Sequence, residues 1–370
     1  MNKISVLTLV DRIACFYSLY PFLLFGGKDR FDFTASARWC LTEDTNDVLI
    51  MMRQFIKPDA VDTGLLQKLR AKYKTLVYFH DDAGGGIPRL EVLPYVDLFY
   101  TKALFRDRSL YKKPLYGKEL YSDYYHTKYG VEDPAPKQRA VVEDESQLAK
   151  LRLSWNIGAG DYPREKLRQR AGVACARVFG PRAARLFYTK KDAAKNHTIK
   201  NYTQKQTPPD PVSLNSGEID VHARILATGQ PSIAYQRVLI MERIANDPRF
   251  LLGGVSQKRY NKELCRSKIV LSPFGWGELC LRDFEAVRAG SLLLKPRMEH
   301  LETWPDIFRP HETYVPFSWD ADDLLETTNT YLADDRLRRN VAYAALDAYR
   351  NQLAGLEERF ESIIKEIISL

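Results

Sequence analysis

The chain has 370 residues, a formal charge of +8, 45 % hydrophobic residues and 28 % charged residues. That length is generous for one compact domain and comfortable for two, and the composition builds real cores, which excludes a disordered or fibrous chain. The positive excess favours anionic partners (nucleotides, phospholipid surfaces or nucleic acid) without choosing among them.

From the N-terminus, Ile4–Val10 reads as a buried strand. The apolar run Ile13–Phe25 holds Pro21 and is too short to span a bilayer. It reads as a buried helix, the alternative being that Phe16, Tyr17 and Phe22 touch a membrane surface. No signal peptide is expected, because a basic start, an apolar middle and a small-residue cleavage site do not follow in order. Further strands are expected at Asp47–Met52, Thr75–His80 and Leu98–Tyr100, with a helix over Leu65–Tyr73. Apolar strands alternating with helices predict a parallel sheet covered on both faces. The stretch "KTLVYFHDDAGGG" ends its strand on His80, Asp81 and Asp82 and runs into the Gly84–Gly86 loop.

Residues 101–145, rich in Tyr and Lys, read as a surface excursion. The loop "LSWNIGAGDYP" carries Asn156 and Asp161, and a helix is expected over Arg164–Val178. A basic stretch and the Pro-rich "TPPDPVSLNSG" follow; the latter suits an inter-domain linker near 207–216. Aromatics among the lysines of residues 182–205 suit a solvated surface, single-stranded nucleic acid or an anionic membrane. The second half restarts the alternation, and the tail from Leu337 is helix-forming, with Leu353, Leu356, Phe360, Ile363, Ile364 and Ile367 on one face.

The five cysteines (Cys15, Cys40, Cys175, Cys265 and Cys280) are widely spaced and form no CxxC, so neither a disulfide framework nor a zinc site is expected and a reducing compartment is. The most informative stretch is "SPFGWGELCLRDFEAVRAGSLLLKP", residues 272–296: a strand end, a loop with Gly275 and Gly277, a helix, Gly290 as its terminator, and another strand. Glycines let backbone N–H groups approach a ligand, and a helix N-terminus favours an anion. Arg282 in the first turn suits a phosphate, and Glu285 suits a pair of hydroxyls such as those of a ribose. The alternative is an Arg–Glu pair at i,i+3 that only braces the helix. Arg224 and Lys295 stand where a basic side chain could reach the same ligand, or could simply be solvated.

The pattern Pro273–x–Gly275–Trp276–Gly277, then Arg282, Phe284–Glu285–Ala286 and Ala289–Gly290, resembles the donor-binding segment of exostosin-like glycosyltransferases and, more broadly, the nucleotide-sugar half of GT-B glycosyltransferases. The resemblance implies an α/β chain of two Rossmann-like domains facing across a cleft: an acceptor side at 1–206, a nucleotide-sugar side at 207–345, and a C-terminal helix at 346–370 expected to pack back on the first domain. It implies a donor site of Arg224, Gly275, Trp276, Gly277, Glu278, Arg282, Glu285 and Lys295. Gly277, not an acid, stands eight residues before Glu285, with Glu278 the nearest carboxylate. The two-glutamate motif of many retaining members is thus not reproduced, and an inverting, metal-independent reaction is expected, the retaining one being the alternative. Inversion needs a base from the acceptor half; Asp82 is the first candidate, with Asp81, His80 and Asp161 behind it. The expected partners are a nucleotide-sugar, which is a substrate and not a cofactor, and a glycan or lipid-linked glycan acceptor, in the cytoplasm at the inner face of the membrane. A non-catalytic nucleotide- or nucleic-acid-binding protein is the rival reading.

Overall fold

The computed structural model describes residues 3–9, 16–27, 29–52, 61–80, 89–117, 119–136, 140–159, 166–181, 183 and 217–370. The expected linker at 207–216 and the basic run 184–205 lie outside them. Within the described residues, the first half holds strands β1 (Ile4–Leu7), β2 (Phe31–Thr34), β3 (Val48–Met52), β4 (Thr75–His80), β5 (Leu98–Thr101), β6 (Ala103–Phe105) and β7 (Leu151–Leu153). All but β6 form one parallel sheet in the order β2-β1-β3-β4-β5-β7. The second half holds β8 (Ile219–His222), β9 (Phe250–Leu251), β10 (Ser267–Leu271), β11 (Leu292–Pro296), β12 (Leu301–Thr303) and β13 (Val315–Phe317). Its parallel sheet runs β13-β11-β10-β8-β9.

Both sheets are doubly wound. Strand order reverses between β1 and β3 in one and between β8 and β10 in the other, and such switch points open a crevice at the strands' carboxyl ends. The first sheet shows why its strands read as continuous apolar runs: all six residues of β4 are buried. Its faces alternate strictly. Leu49, Met51, Leu76, Tyr78 and Phe99 point one way, while Val6, Ile50, Met52, Val77 and Phe79 point the other, onto Phe22 and Trp155. The apolar run before Phe25 forms the helix Phe16–Phe25 with Phe22 fully buried, so that part of the run belongs to the core. No helix among the described residues is long and apolar enough to cross a membrane.

The tail forms two helices, Asp335–Ala354 and Leu356–Ile368, broken at Gly355. The first packs Val341 and Ala342 into the second half. The second inserts Phe360, Ile364 and Ile367 beneath the first sheet, so the chain crosses back at Gly355. Strand β12 pairs antiparallel with β6, a further tie between the halves.

The tyrosine-rich stretch is not the surface excursion its composition predicts. Helix Leu120–Tyr129 packs against helix Pro231–Ile244 of the second half, with Tyr121 and Tyr125 fully buried. Each buried hydroxyl finds a partner there: Tyr121 donates to the Gly275 carbonyl at 3.1 Å and Tyr125 to the Trp319 carbonyl at 2.7 Å. Asp133 caps the facing helix by accepting from the Ser232 N–H (2.9 Å) and hydroxyl (2.5 Å). Tyrosine brings a large apolar ring with a polar tip, which suits an interface as well as a wet surface.

Candidate active site

Strand β10 is fully buried at Ile269, Val270 and Leu271, and it delivers the chain to the switch point of the second sheet. The loop Ser272–Cys280 folds on itself there, the Gly275 N–H donating to the Gly277 carbonyl at 2.9 Å. A Cβ on Gly275 would lie 3.1 Å from Cys280 Sγ and 3.4 Å from an Arg237 nitrogen, so a side chain has little room. Trp276 stands exposed at the tip, while Gly277 and Glu278 are buried. Helix Leu281–Arg288 follows, burying Phe284, Ala286 and Val287, and Gly290 takes the left-handed φ of +69° that ends it.

Arg282 occupies the crevice itself. Its Nη2 donates to the Arg224 carbonyl just past β8 at 2.7 Å, and its Nη1 reaches the Leu271 carbonyl at the end of β10 at 3.4 Å. Its Nε lies 3.2 Å from the Tyr260 hydroxyl, which in turn donates to Glu285 at 3.0 Å. Arg282 and Glu285 therefore do not pair as a direct brace; a tyrosine hydroxyl stands between them. Arg237, on helix Pro231–Ile244, adds a second guanidinium, donating to the carbonyls of Phe274 (2.9 Å) and Leu226 (3.0 Å). His222 ends β8, fully buried with its ring edge-on to Tyr260. Burial, then the nearby charge of Arg282, pushes its pKa down to about 4, so it is neutral at pH 7.

The other expected donor residues are placed differently. Arg224 turns its guanidinium onto Glu263 as a bidentate pair (2.9 and 2.7 Å), and that pairing pulls the Glu263 carboxyl down to about 2. Lys295 is fully buried, not at the cleft edge. Its Nζ meets Asp283 at 3.0 Å and sits over the Phe274 ring at 5.2 Å, so it braces the loop from below. Asp283 also accepts from Ser272 Oγ (2.6 Å) and the Cys280 N–H (2.9 Å). Burial pushes its carboxyl up, against the pull of Lys295. The protein's own carboxylate thus answers the first turn of this helix, and the cationic character of the crevice comes from its arginines. Glu278 lies 3.4 Å from His300 Nε2; burial would raise its pKa, but the imidazole holds it below the usual range.

Of the expected catalytic residues, His80 is buried at the carboxyl end of β4 with Nδ1 3.5 Å from Thr101 Oγ1. Asp81, Asp82 and Asp161 lie outside the described residues. Arg237, Tyr260 and His300 escape the sequence reading because each comes from a separate element with no motif around it. The one available signal is Gln236–Arg237, two polar residues between the apolar runs of an amphipathic helix.

Residues 224–364 match the family model described as glycosyl transferase-like. This half of the chain is a glycosyltransferase domain. With a doubly wound parallel sheet in each half, the glycosyltransferase domain and its partner form a GT-B architecture. No curated protein sequence matches the chain. Among solved structures it is similar to HepE of Anabaena in complex with UDP and glucose, at 11% identity over 100% of both chains with a TM-score of 0.45. It is similar to an alpha-glucosyltransferase in complex with UDP and DNA, at 10% identity over 99% of both chains with a TM-score of 0.44. The C-terminal domain of LpcC from Francisella tularensis matches at 14% identity over 37% of this chain and 86% of that one, with a TM-score of 0.25. These likenesses are distant; the family match and the two sheets carry the assignment.

Proposed function

We propose that the chain transfers a sugar from a nucleoside-diphosphate donor to a hydroxyl of a glycan or lipid-linked glycan, with inversion and without a bound metal. The observation that carries this reading is Arg282, which spans the ends of β8 and β10 at the switch point, beneath a glycine loop and beside Arg237. Fixed guanidinium groups stabilise the charge that develops on a leaving diphosphate. Glu285, held by Tyr260, is placed to accept from ribose hydroxyls. The acceptor hydroxyl must lose a proton, and Asp82 is the base we propose, two residues beyond the end of β4, with Asp81, His80 and Asp161 as the other candidates. The setting we propose is the cytoplasm, at the inner face of the membrane.

Calorimetry with nucleoside diphosphates tests the donor site directly, and UDP, the nucleotide bound in HepE, is the first to try. A folded chain that binds none of them would end this reading. Asp82→Asn is expected to abolish transfer while leaving diphosphate affinity within about twofold, a change smaller than a single hydrogen bond supplies. Anomeric analysis of the product by NMR separates inversion from retention.

A further inference from the structure

Two strands along the second sheet from the Arg282 crevice, the carboxyl ends of β11 and β13 open on a cavity of about 420 Å³. That volume lies in the range of small-molecule sites, roughly 300–1,000 Å³. Both halves line it: Trp319 and His300 come from the second and Tyr124 from the first. The Tyr124 and Trp319 rings meet at 5.2 Å and 86°, and Trp319 meets His300 at 5.3 Å and 82°. Trp319 is fixed by its Nε1–H, which donates to the Arg297 carbonyl at 3.0 Å. Asp320 accepts from Tyr124 (2.5 Å), Lys128 (2.5 Å) and Tyr129 (2.7 Å). Arg297 and Glu299 stand at the rim 3.8 Å apart, each partly exposed.

This lining differs in kind from the donor crevice. Among its charged residues Arg297 stands beside Glu299, and Asp320 is answered from outside the lining by Lys128, so the cavity has no positive excess to draw a phosphate. Fixed aromatic edges and faces match the C–H faces of a sugar ring, and carboxylate and guanidinium groups match its hydroxyls. We propose that the cavity is a saccharide subsite that holds a pyranose unit of the acceptor beyond the one that reacts. Its position agrees: two strand spacings place it about 10 Å from the switch point, within reach of the next units of a chain. The ligand class stands on this lining alone, whereas its assignment to the acceptor rests on the transferase reading.

The test uses the full chain. Saturation-transfer NMR is run with methyl glucoside, methyl galactoside, methyl mannoside and N-acetylglucosamine, and UDP binding is measured by calorimetry on the same sample. At least one saccharide is expected to bind. Trp319→Ala should weaken it by about tenfold, the worth of a well-placed ring contact, while Trp319→Phe keeps most of it. Arg297→Ala, a change to a side chain 56% exposed, should weaken it without threatening the fold. UDP affinity should hold in all three. If no saccharide binds while UDP does, the subsite is wrong and the donor site stands. Saccharide binding indifferent to both Trp319→Ala and Arg297→Ala likewise overturns the subsite. Saccharide binding that these variants weaken, in a chain that ignores UDP, supports the subsite and removes the donor reading.

Discussion

Replacing Arg282 by Ala removes the group on which the donor site depends. A guanidinium offers five N–H donors, and three bonds to the Arg224 and Leu271 carbonyls and the Tyr260 hydroxyl engage it within the protein. The remaining donors and the full charge are left for a diphosphate. A charge-assisted hydrogen bond of this kind contributes about 1.5–3 kcal/mol, so Arg282→Ala should raise the Kd for UDP roughly 10- to 150-fold. The internal bonds are neutral ones at the acceptor end, and losing them should cost the fold about 1–3 kcal/mol. Affinity must therefore be read by calorimetry on a sample shown by circular dichroism to be folded. Arg282→Lys keeps the charge but not the fork and should fall between. Raising the salt should weaken wild type more than the Ala variant, because screening acts on the charge that the variant lacks. A folded Arg282→Ala protein that binds UDP as wild type does would refute the reasoning.

Lys295→Met strands Asp283 in a fully buried site and should destabilise by about 3–5 kcal/mol in urea unfolding. Adding Asp283→Leu should recover part of that loss, because the buried carboxylate is then no longer left without its partner. Phe360→Ala opens a hole where the C-terminal helix meets Phe22, Phe31 and Trp155, and should cost about 3–5 kcal/mol in the same assay. His222 sets an acid dependence. Its folded pKa of about 4 lies below the unfolded value near 6.5, so the unfolded chain takes up a proton that the folded chain refuses. Its contribution is level above about pH 6.5 and stability falls as pH drops from there to about 4, by about 3 kcal/mol in all. His222→Phe should flatten that part of a Tm-against-pH curve.

What was legible in the sequence is what is written within one element or across one turn. Strand β4 matches the expected Thr75–His80 residue for residue because five consecutive apolar or β-favouring residues lead into His80. The loop–helix unit at 272–296 is likewise local, so Arg282 and Glu285 stand out. Strand β2 was missed because the alternation of "FDFT" runs for only four residues, and its pairing with β1 is what makes it a strand. The placement of charge was harder still. Lys295 and Arg282 look alike in the sequence, each a cation within the loop–helix–strand unit at 272–296. Their fates are decided by residues elsewhere in the fold: Asp283 closes under one, while the carbonyl ends of β8 and β10 present themselves to the other. A lysine near the end of a central strand is buried on both faces by the sheet's own covering helices, and it can stay charged there only with a carboxylate at hand. An arginine in the first turn of the helix after β10 is lifted clear of the sheet and reaches the crevice. The topology, not the residue type, therefore separates the brace from the ligand-facing cation, and strand order has to be known before either can be named.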